Sequence, residues 1–419
     1  MSDAANGMNA TRSDAFARRL KKRYAAERRF KAFGLGAVVF SVAVLLFLLG
    51  TMLWNGIGGF QRAEVAVPVD LAAAGLSVDP AVLAQANGLQ NLEMQGLPQI
   101  VAAAAEQSLG TDAQDAVDPD AWRIVAERVR ADPDLARGAA VFQLPAAPGL
   151  AAGLSGEGSP EMRALAQKLT AEGKLAKNFD FGFLTRSDAT SAQHAGVWGA
   201  LKGSMLTMLV TLLLAFPIGV LAALYLEEYA PKNRWTDVIE VSINNLAAVP
   251  SIIFGLLGLA VFLAIFPNLR SAPLIGGMTL ALMTMPVIVI SGRNAIKAVP
   301  PSIRDGALAI GASRVQVVFH HVLPLALPGI LTGTIIGMAR ALGETAPLLM
   351  IGMRAFIAAP PEGFTSPASV LPVQIFLWSD EVDRGFVERT SAAIVVLLAF
   401  LLAMNGLAIY LRNRFEKKW

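Results

Sequence analysis

The feature that most constrains this chain is the stretch over residues 32–54, AFGLGAVVFSVAVLLFLLGTMLW, which carries no charge. About 20 consecutive apolar residues cross the hydrocarbon core of a bilayer as a helix. Only a helix satisfies every backbone N–H and C=O within one such segment. Before it stand Arg12, Arg18, Arg19, Lys21, Lys22, Arg23, Arg28, Arg29 and Lys31, set against only Asp3, Asp14 and Glu27. A cleaved secretory signal shares that order. Its apolar part is usually about 7–15 residues, however, and a small-residue cleavage site follows it at once. The longer run here, with no such site, is expected to be an uncleaved anchor.

Five further apolar runs lie at 201–226, 247–266, 273–290, 325–351 and 391–411, each flanked by charges or by Pro and Gly. The chain is 54% hydrophobic and 16% charged, where soluble domains average about 25% charged. The expected fold is an all-α integral membrane protein with six transmembrane helices. Between the first and second runs, residues 55–197 have another character. Asp112, Asp115, Asp118, Asp120, Asp132 and Asp134 make this stretch acidic, and no run in it is long enough to span. PVDLAAAGLSVDPAVLAQA and PDAWRIVAERVRADPDLARGAAVF read as short helices, with Asp79-Pro80 and Asp132-Pro133 as turn or helix-start signals. A mostly helical insertion is expected, without metal-ligand spacing, nucleophile elbow or phosphate loop. Cysteine is absent, which excludes disulfides and thiolate chemistry.

Lys and Arg in short loops predict orientation. Residues 1–31, Lys232 and Arg234, then Arg293, Lys297, Arg304 and Arg314, and finally Arg412, Arg414, Lys417 and Lys418 fall on one side. The opposite short loops hold only Arg270, Arg354, Arg384 and Arg389. Both termini are therefore expected in the cytoplasm and the insertion outside. The expected divisions are a basic N-terminus at 1–31, a first span at 32–54, the insertion at 55–197, a membrane core at 198–412 and a tail at 413–419.

The loop 291–324 is the most informative polar segment. Pro300-Pro301 ends one element, Ser302 can cap the next, and Gly311-Ala312-Ser313 breaks it. A second short helix is expected up to His321, with Pro324 and Pro328 opening a span. The segment is either an amphipathic linker on the bilayer or a pair of short helices offered to a cytoplasmic partner.

Asp305-Gly306-Ala307, Gly311, His321 and Leu323-Pro324 keep the spacing E-A-A, three residues, G, nine residues, I-x-L-P. That pattern resembles the importer permeases of ABC transporters. Asp stands for Glu, Gly for the first Ala, and His for Ile. ARALGETAPLLMIG (339–352), GVLAALYLEEYAPKNRWTD (219–237) and INNLAAVPSIIFGLLGL (243–259) are similar to phosphate importer permeases of the PstA type. The resemblance covers about residues 195–415; the insertion resembles only elongated members of that group. It implies a five-helix type I ABC importer core after the N-terminal helix, in a bacterial inner membrane. It also implies that residues 302–324 dock on an ATPase subunit, with Asp305, Gly306, Ala307, Gly311, Leu323 and Pro324 as the matching positions. Implied partners are a second permease (PstC type), an ATPase dimer (PstB type) and an extracytoplasmic phosphate-binding protein (PstS type), besides membrane lipid. The chain has no G-x-x-x-x-G-K-[ST] loop, so ATP is expected to be used by the partner, with no cofactor held here and no nucleic acid bound.

Arg340 and Glu344 are the only ionisable residues in the fifth run, and Thr345 follows them. A helix from about Pro328 puts Arg340 roughly 18 Å along, near mid-bilayer. Arg340, Glu344, Gly329, Gly333 and Gly337 then share a sector of roughly 80°. A charge inside the membrane costs at least about 2.5 kcal/mol and usually faces a cavity or a partner. Arg340, Glu344 and Thr345 are the candidate pathway or gate, because an Arg fork suits an oxyanion. The alternative is a self-compensating i, i+4 pair beside a close-packing glycine stripe; both readings hold if the stripe packs against a second permease and the path runs between them. His320 and His321 point about 100° apart on a helix, which argues against a metal site. Asn244, Asn245 and Ser251 suit bundle hydrogen bonds or the path lining, and residues 372–380 are too short to span. A permease for sulfate or molybdate, or a membrane-anchored sensor working through 55–197, are the alternative functions.

Overall fold

The computed structural model describes residues 2–73, 76, 88–110, 116–156, 158–383 and 385–415. Asp79-Pro80, Asp112, Asp115 and residues 416–419 lie outside the described residues. The chain divides into two units, Met1–Asn55 and Gly56–Trp419. In the first, the described residues all belong to a helix assigned over Ser2–Gly59, and Leu20–Gly59 is long and apolar enough to cross a membrane.

The second unit begins with the insertion, and here the expectation of short helices alone is corrected. Three strands, β1 (Gln61–Asp70), β2 (Ala139–Pro145) and β3 (Leu175–Phe179), form an antiparallel sheet in the order β2-β1-β3. The residues from Pro68, expected to open a helix, end the central strand instead. Ala63, Val65, Val67 and Val69 alternate inward and are buried, the period-two pattern of a half-covered strand. Pro68 is tolerated because β3 pairs only with Gln61–Val65, leaving β1 with a neighbour on the β2 side alone at that point. The helix Trp122–Ala131 covers the sheet with Trp122, Val125, Ala126 and Val129, one apolar face at i, i+3, i+4 and i+7 spacing. Asp132 caps the following turn by accepting from the Asp134 N–H, as Asp132-Pro133 suggested.

A buried ionic cluster ties the insertion's base to the last helix, Gly385–Phe415. The Arg389 guanidinium donates to Asp180 Oδ2 at 2.9 Å, to Gly59 O at 2.8 Å and to Ala192 O at 2.9 Å. It also lies over the Phe183 ring, 5.1 Å from its centre. Arg186 reaches the same Asp180 oxygen at 2.6 Å. Nearby, Asp118 accepts from His194 Nε2 and Trp378 Nε1 donates to Asp188.

Among the described residues five helices can each cross a membrane: Leu20–Gly59, Trp198–Tyr229, Pro273–Lys297, Arg314–Leu342 and Gly385–Arg414. Arg234–Ala247 and Ser251–Ile265 make a sixth only if taken together, and they meet at 103°. The straight span expected at 247–266 is therefore corrected. Pro250 removes an N–H and pushes Val249 out of the helical region, and Ser251–Ile265 alone is only about 22 Å long. Asn244 and Asn245 sit on the exposed face of Arg234–Ala247, without side-chain hydrogen bonds among the described residues. Residues Leu371–Ser379 form a nine-residue helix, too short to span, as expected.

Pro273–Lys297 is the hub of the bundle. Small residues let its neighbours close on it: Gly277 lies against Val210, Gly219 against Ile288, and Gly329, Gly333 and Gly337 against Ala295, Ser291 and Thr284. The glycine stripe thus packs on a helix of the same chain. A sharper case is Gly203, where a Cβ would stand 2.0 Å from the Ser369 carbonyl oxygen. Backbone cannot swing aside, so Gly203→Ala is expected to cost about 3 kcal/mol, at the upper end of overpacking penalties. Gly34→Ala, which meets nothing within 4 Å, is the control. Thermal unfolding in detergent checks both.

Candidate functional site: the 301–322 turn and the Arg340 terminus

Pro301–Ala309 is helical, and its end is built by local chemistry. Gly311 takes φ +90°, where a side chain would be strained. The Gly311 N–H donates to Leu308 O and the Ala312 N–H to Ala307 O, the paired bonds of a Schellman stop. Ser313 then starts the next helix with a reciprocal capping box to Gln316. One expectation is corrected here: that helix does not end at His321. It runs from Arg314 to Leu342, with a widened turn at Val317–Val322 that carries the chain past Leu323 and Pro324 without a break.

One side of this turn is packed and the other is open. Ala307, Val317, Val318 and Val322 are buried, and Leu308, Ile310, Val315 and Phe319 are exposed beside Asp305. Gly306 faces open space, with nothing within 4 Å of a Cβ. Gly306→Ala is expected to stabilise the helix by about 0.5–1 kcal/mol, read as a rise in melting temperature.

What anchors the turn escaped sequence reasoning. Arg304 donates from Nε and Nη2 to Glu228 Oε1 at 3.1 and 2.7 Å, from Nη1 to Val299 O at 2.7 Å and from Nη2 to Ile296 O at 2.9 Å. Arg293 bridges Glu227 at 2.5 Å and Glu240 at 2.8 Å, and Lys297 adds 3.4 Å to Glu227. Glu227 and Glu228 belong to a widened turn, Tyr225–Tyr229, at the end of the 198–224 helix. Arg304 therefore fastens the 301–309 helix to two spans, and Arg293 and Lys297 tie those spans to each other through Glu227. The only local signal was the adjacent Glu pair.

Arg340 closes the last turn of its helix, which ends at Leu342 with Gly343 as cap. Glu344 and Thr345 lie beyond it, and Thr345 precedes the short helix Ala346–Met350. The expectation of one helix through 351, with both charges on it, is corrected. The two are still close, Arg340 Nε to Glu344 Oε1 at 3.6 Å, an ion pair too long for a hydrogen bond. Arg340 is 49% exposed and Glu344 19%. Gly337 meets Thr284 midway along Pro273–Lys297, and Ala341 and Leu342 share a core with Leu280. Arg340 therefore sits about 11 Å inside that helix's Pro273 end at 1.5 Å per residue. The arrangement presents a half-open guanidinium within a span, restrained by one carboxylate. No group of His, Asp or Glu able to hold a metal occurs among the described residues.

Residues 215–417 match the family described as "Binding-protein-dependent transport system inner membrane component", and residues 17–164 match "Domain of unknown function (DUF3333)". The chain is 35% identical over 256 residues to the probable ABC transporter permease protein YqgI of Bacillus subtilis, covering 57% of this chain and 85% of that one. It is 30% identical over 235 residues to the phosphate transport system permease protein PstA of Haemophilus influenzae, covering 56% and 80%. The methionine ABC transporter MetNI in an inward-facing conformation aligns with a TM-score of 0.43 at 18% identity, covering 53% of this chain and 98% of that one. The chain belongs to the inner-membrane components of binding-protein-dependent transport systems, as an ABC permease of the PstA type.

Proposed function

We propose that this chain is the permease of an ATP-driven phosphate importer, lining the path together with a second permease. The 301–322 turn would take the closing motion of a separate ATPase dimer. An extracytoplasmic binding protein would deliver the anion on the side of the insertion, with both termini in the cytoplasm. The observation that carries the reading is the turn itself: an exposed apolar and acidic face, Asp305, Leu308 and Ile310, on a helix pinned to two spans by Arg304. A rigid lever of that kind serves force transfer, and a lipid-surface linker would not need the anchoring. Phosphate as substrate is supported by the names of the PstA relatives and by the chemistry of Arg340. Its fork donates parallel hydrogen bonds to an oxyanion, and the Glu344 partner weakens the hold, as release in transport requires.

Uptake of labelled phosphate by the assembled complex tests both points. Arg340→Gln is expected to lower uptake at least about tenfold, the equivalent of one lost charge-assisted contact, while the complex still assembles. Unchanged uptake by that variant removes Arg340 from the path. Uptake of sulfate or molybdate in place of phosphate assigns another oxyanion.

A further inference from the structure

We infer that a groove at the base of the insertion binds a phosphate group, either of an anionic lipid headgroup at the bilayer surface or of free phosphate. The groove has a volume of about 380 Å³ and lies between the 122–131 helix and the 179–186 segment. Arg62, Arg128 and Arg186 line it. Their hydrogen bonding sets it apart from an ordinary ion-pair cluster. Arg62 is 8% exposed and holds Glu64 through Nε and Nη2, while its Nη1 is buried with no hydrogen-bond partner among the described residues. A buried guanidinium N–H left unmade carries its full desolvation cost. Arg62 lines the groove, so a turn of its guanidinium would offer that edge to an oxyanion held there. Arg128 makes no ion pair among the described residues. Gly182 is bare where the Arg186 guanidinium crosses it, with Nη1 only 2.1 Å from where a Cβ would be.

The acidic groups do not cancel this field. Asp180 is shared by Arg186 and Arg389, and Glu64 is occupied by Arg62 and Asn178. Among the lining residues Arg62, Arg128 and Arg186 stand against Glu127 and Asp180, and Asp118, the other carboxylate near Arg62, is held by His194. Location supplies the lipid alternative. Arg389, which contacts Asp180, is in the first turns of the span Gly385–Arg414, so the groove opens where membrane-crossing segments begin. Phe179 and Phe181, 51% and 74% exposed with ring centres 4.6 Å apart, stand at its rim. Exposed Phe rings of this kind suit burial at the boundary between headgroups and acyl chains.

The test uses the purified full chain in nanodiscs of phosphatidylcholine alone or with added phosphatidylglycerol, and in the neutral discs with inorganic phosphate. Lipid retention by native mass spectrometry and thermal stabilisation by phosphate are the readouts. Arg128→Gln is expected to lower the affinity of whichever probe binds by about tenfold, as for one charge-assisted contact. Arg62→Gln is expected to lower it at least as much. Arg130→Gln, which removes an exposed charge from the same helix outside the groove, is expected to leave it unchanged. Arg128 is exposed, so its variant folds even if the Arg62 variant does not. Lipid that inorganic phosphate displaces identifies a general phosphate site; lipid that resists displacement identifies a headgroup site. Binding equal in wild type and Arg128→Gln, or equally weakened by Arg128→Gln and Arg130→Gln, overturns the inference. None of these readouts involves transport, so the result stands apart from the importer assignment.

Discussion

Asp180→Leu is expected to destabilise the chain by about 3–5 kcal/mol, the cost of leaving a buried charge without its partner. Arg389 is nearly as inaccessible as Asp180, with side chains 4% and 2% exposed, so neither reaches water when the other is removed. The two remaining acceptors of Arg389, Gly59 O and Ala192 O, are dipoles that do not neutralise it. The same reasoning predicts that a double variant, Asp180→Leu with Arg389→Met, recovers much of the loss. Well-packed apolar groups often replace a buried pair at little cost, and the 30% exposed Arg186 can turn to solvent. Thermal unfolding of the purified chain in detergent measures the cycle. A single variant within about 1 kcal/mol of wild type would reduce the cluster to the worth of a surface pair.

The pH dependence has a definite sign. Burial alone would raise the Asp180 pKa, but the charges of Arg186, Arg389 and Arg62 together hold it below the ordinary 3.8. A carboxyl depressed on folding contributes stability above its unfolded pKa and loses it as the pH falls through the folded value. Asp118 behaves alike: burial pushes it up, and the His194 and Asp120 hydrogen bonds outweigh that. Asp188 opposes them, raised by burial despite the Trp378 bond, so it favours the folded state slightly as it protonates. The base of the insertion is therefore expected to loosen only below the usual carboxylate range. Asp180→Leu is expected to flatten that acid limb.

How much of this was legible depends on the range of the signal. The spans announce themselves because each buries or exposes a continuous apolar run, and the stop at Gly311 is local chemistry. The bend before Ser251 and the helix end at Gly343 were also written locally. Pro250 and Pro347 each disfavour a continuing helix ahead of them, but apolar content masked the breaks, and Pro217, Pro286 and Pro328 lie inside helices that do continue. The alternation Val65, Val67, Val69 was a strand signal obscured by Pro68, which becomes acceptable only once β3 is known to stop short. The ionic contacts are another matter. Glu228 and Arg304 are 76 residues apart, and Asp180 and Arg389 are 209 apart. No periodicity or spacing relates them, so Arg304 and Arg389 entered the sequence reading only as loop charges. Arg340 stood out in the sequence because a charge in an apolar run needs no partner to be conspicuous. Its partner's place beyond the helix end needed the fold.

Arg304→Met is expected to separate ATP hydrolysis from transport. The exposed face that would meet an ATPase, Asp305, Leu308 and Ile310, is not altered by the change. What is lost is every bond from this side chain to Glu228, Ile296 O and Val299 O. The 301–309 helix then keeps its Schellman end and its Ala307 packing but no longer shares a charge-assisted clamp with the 225–229 turn. A lever that yields at its root passes on less of the displacement applied at its tip, so uptake should fall by about tenfold or more, the size of one charge-assisted contact. ATPase binding and basal hydrolysis should remain near wild type. Glu228→Gln keeps an acceptor for Arg304 and removes only the charge, so it is expected to be milder. Measured together in proteoliposomes, hydrolysis and uptake distinguish this from misfolding, which lowers both. Equal loss of ATPase binding and uptake in Arg304→Met would show that the arginine shapes the docking face, and unchanged uptake would show that the turn needs no clamp.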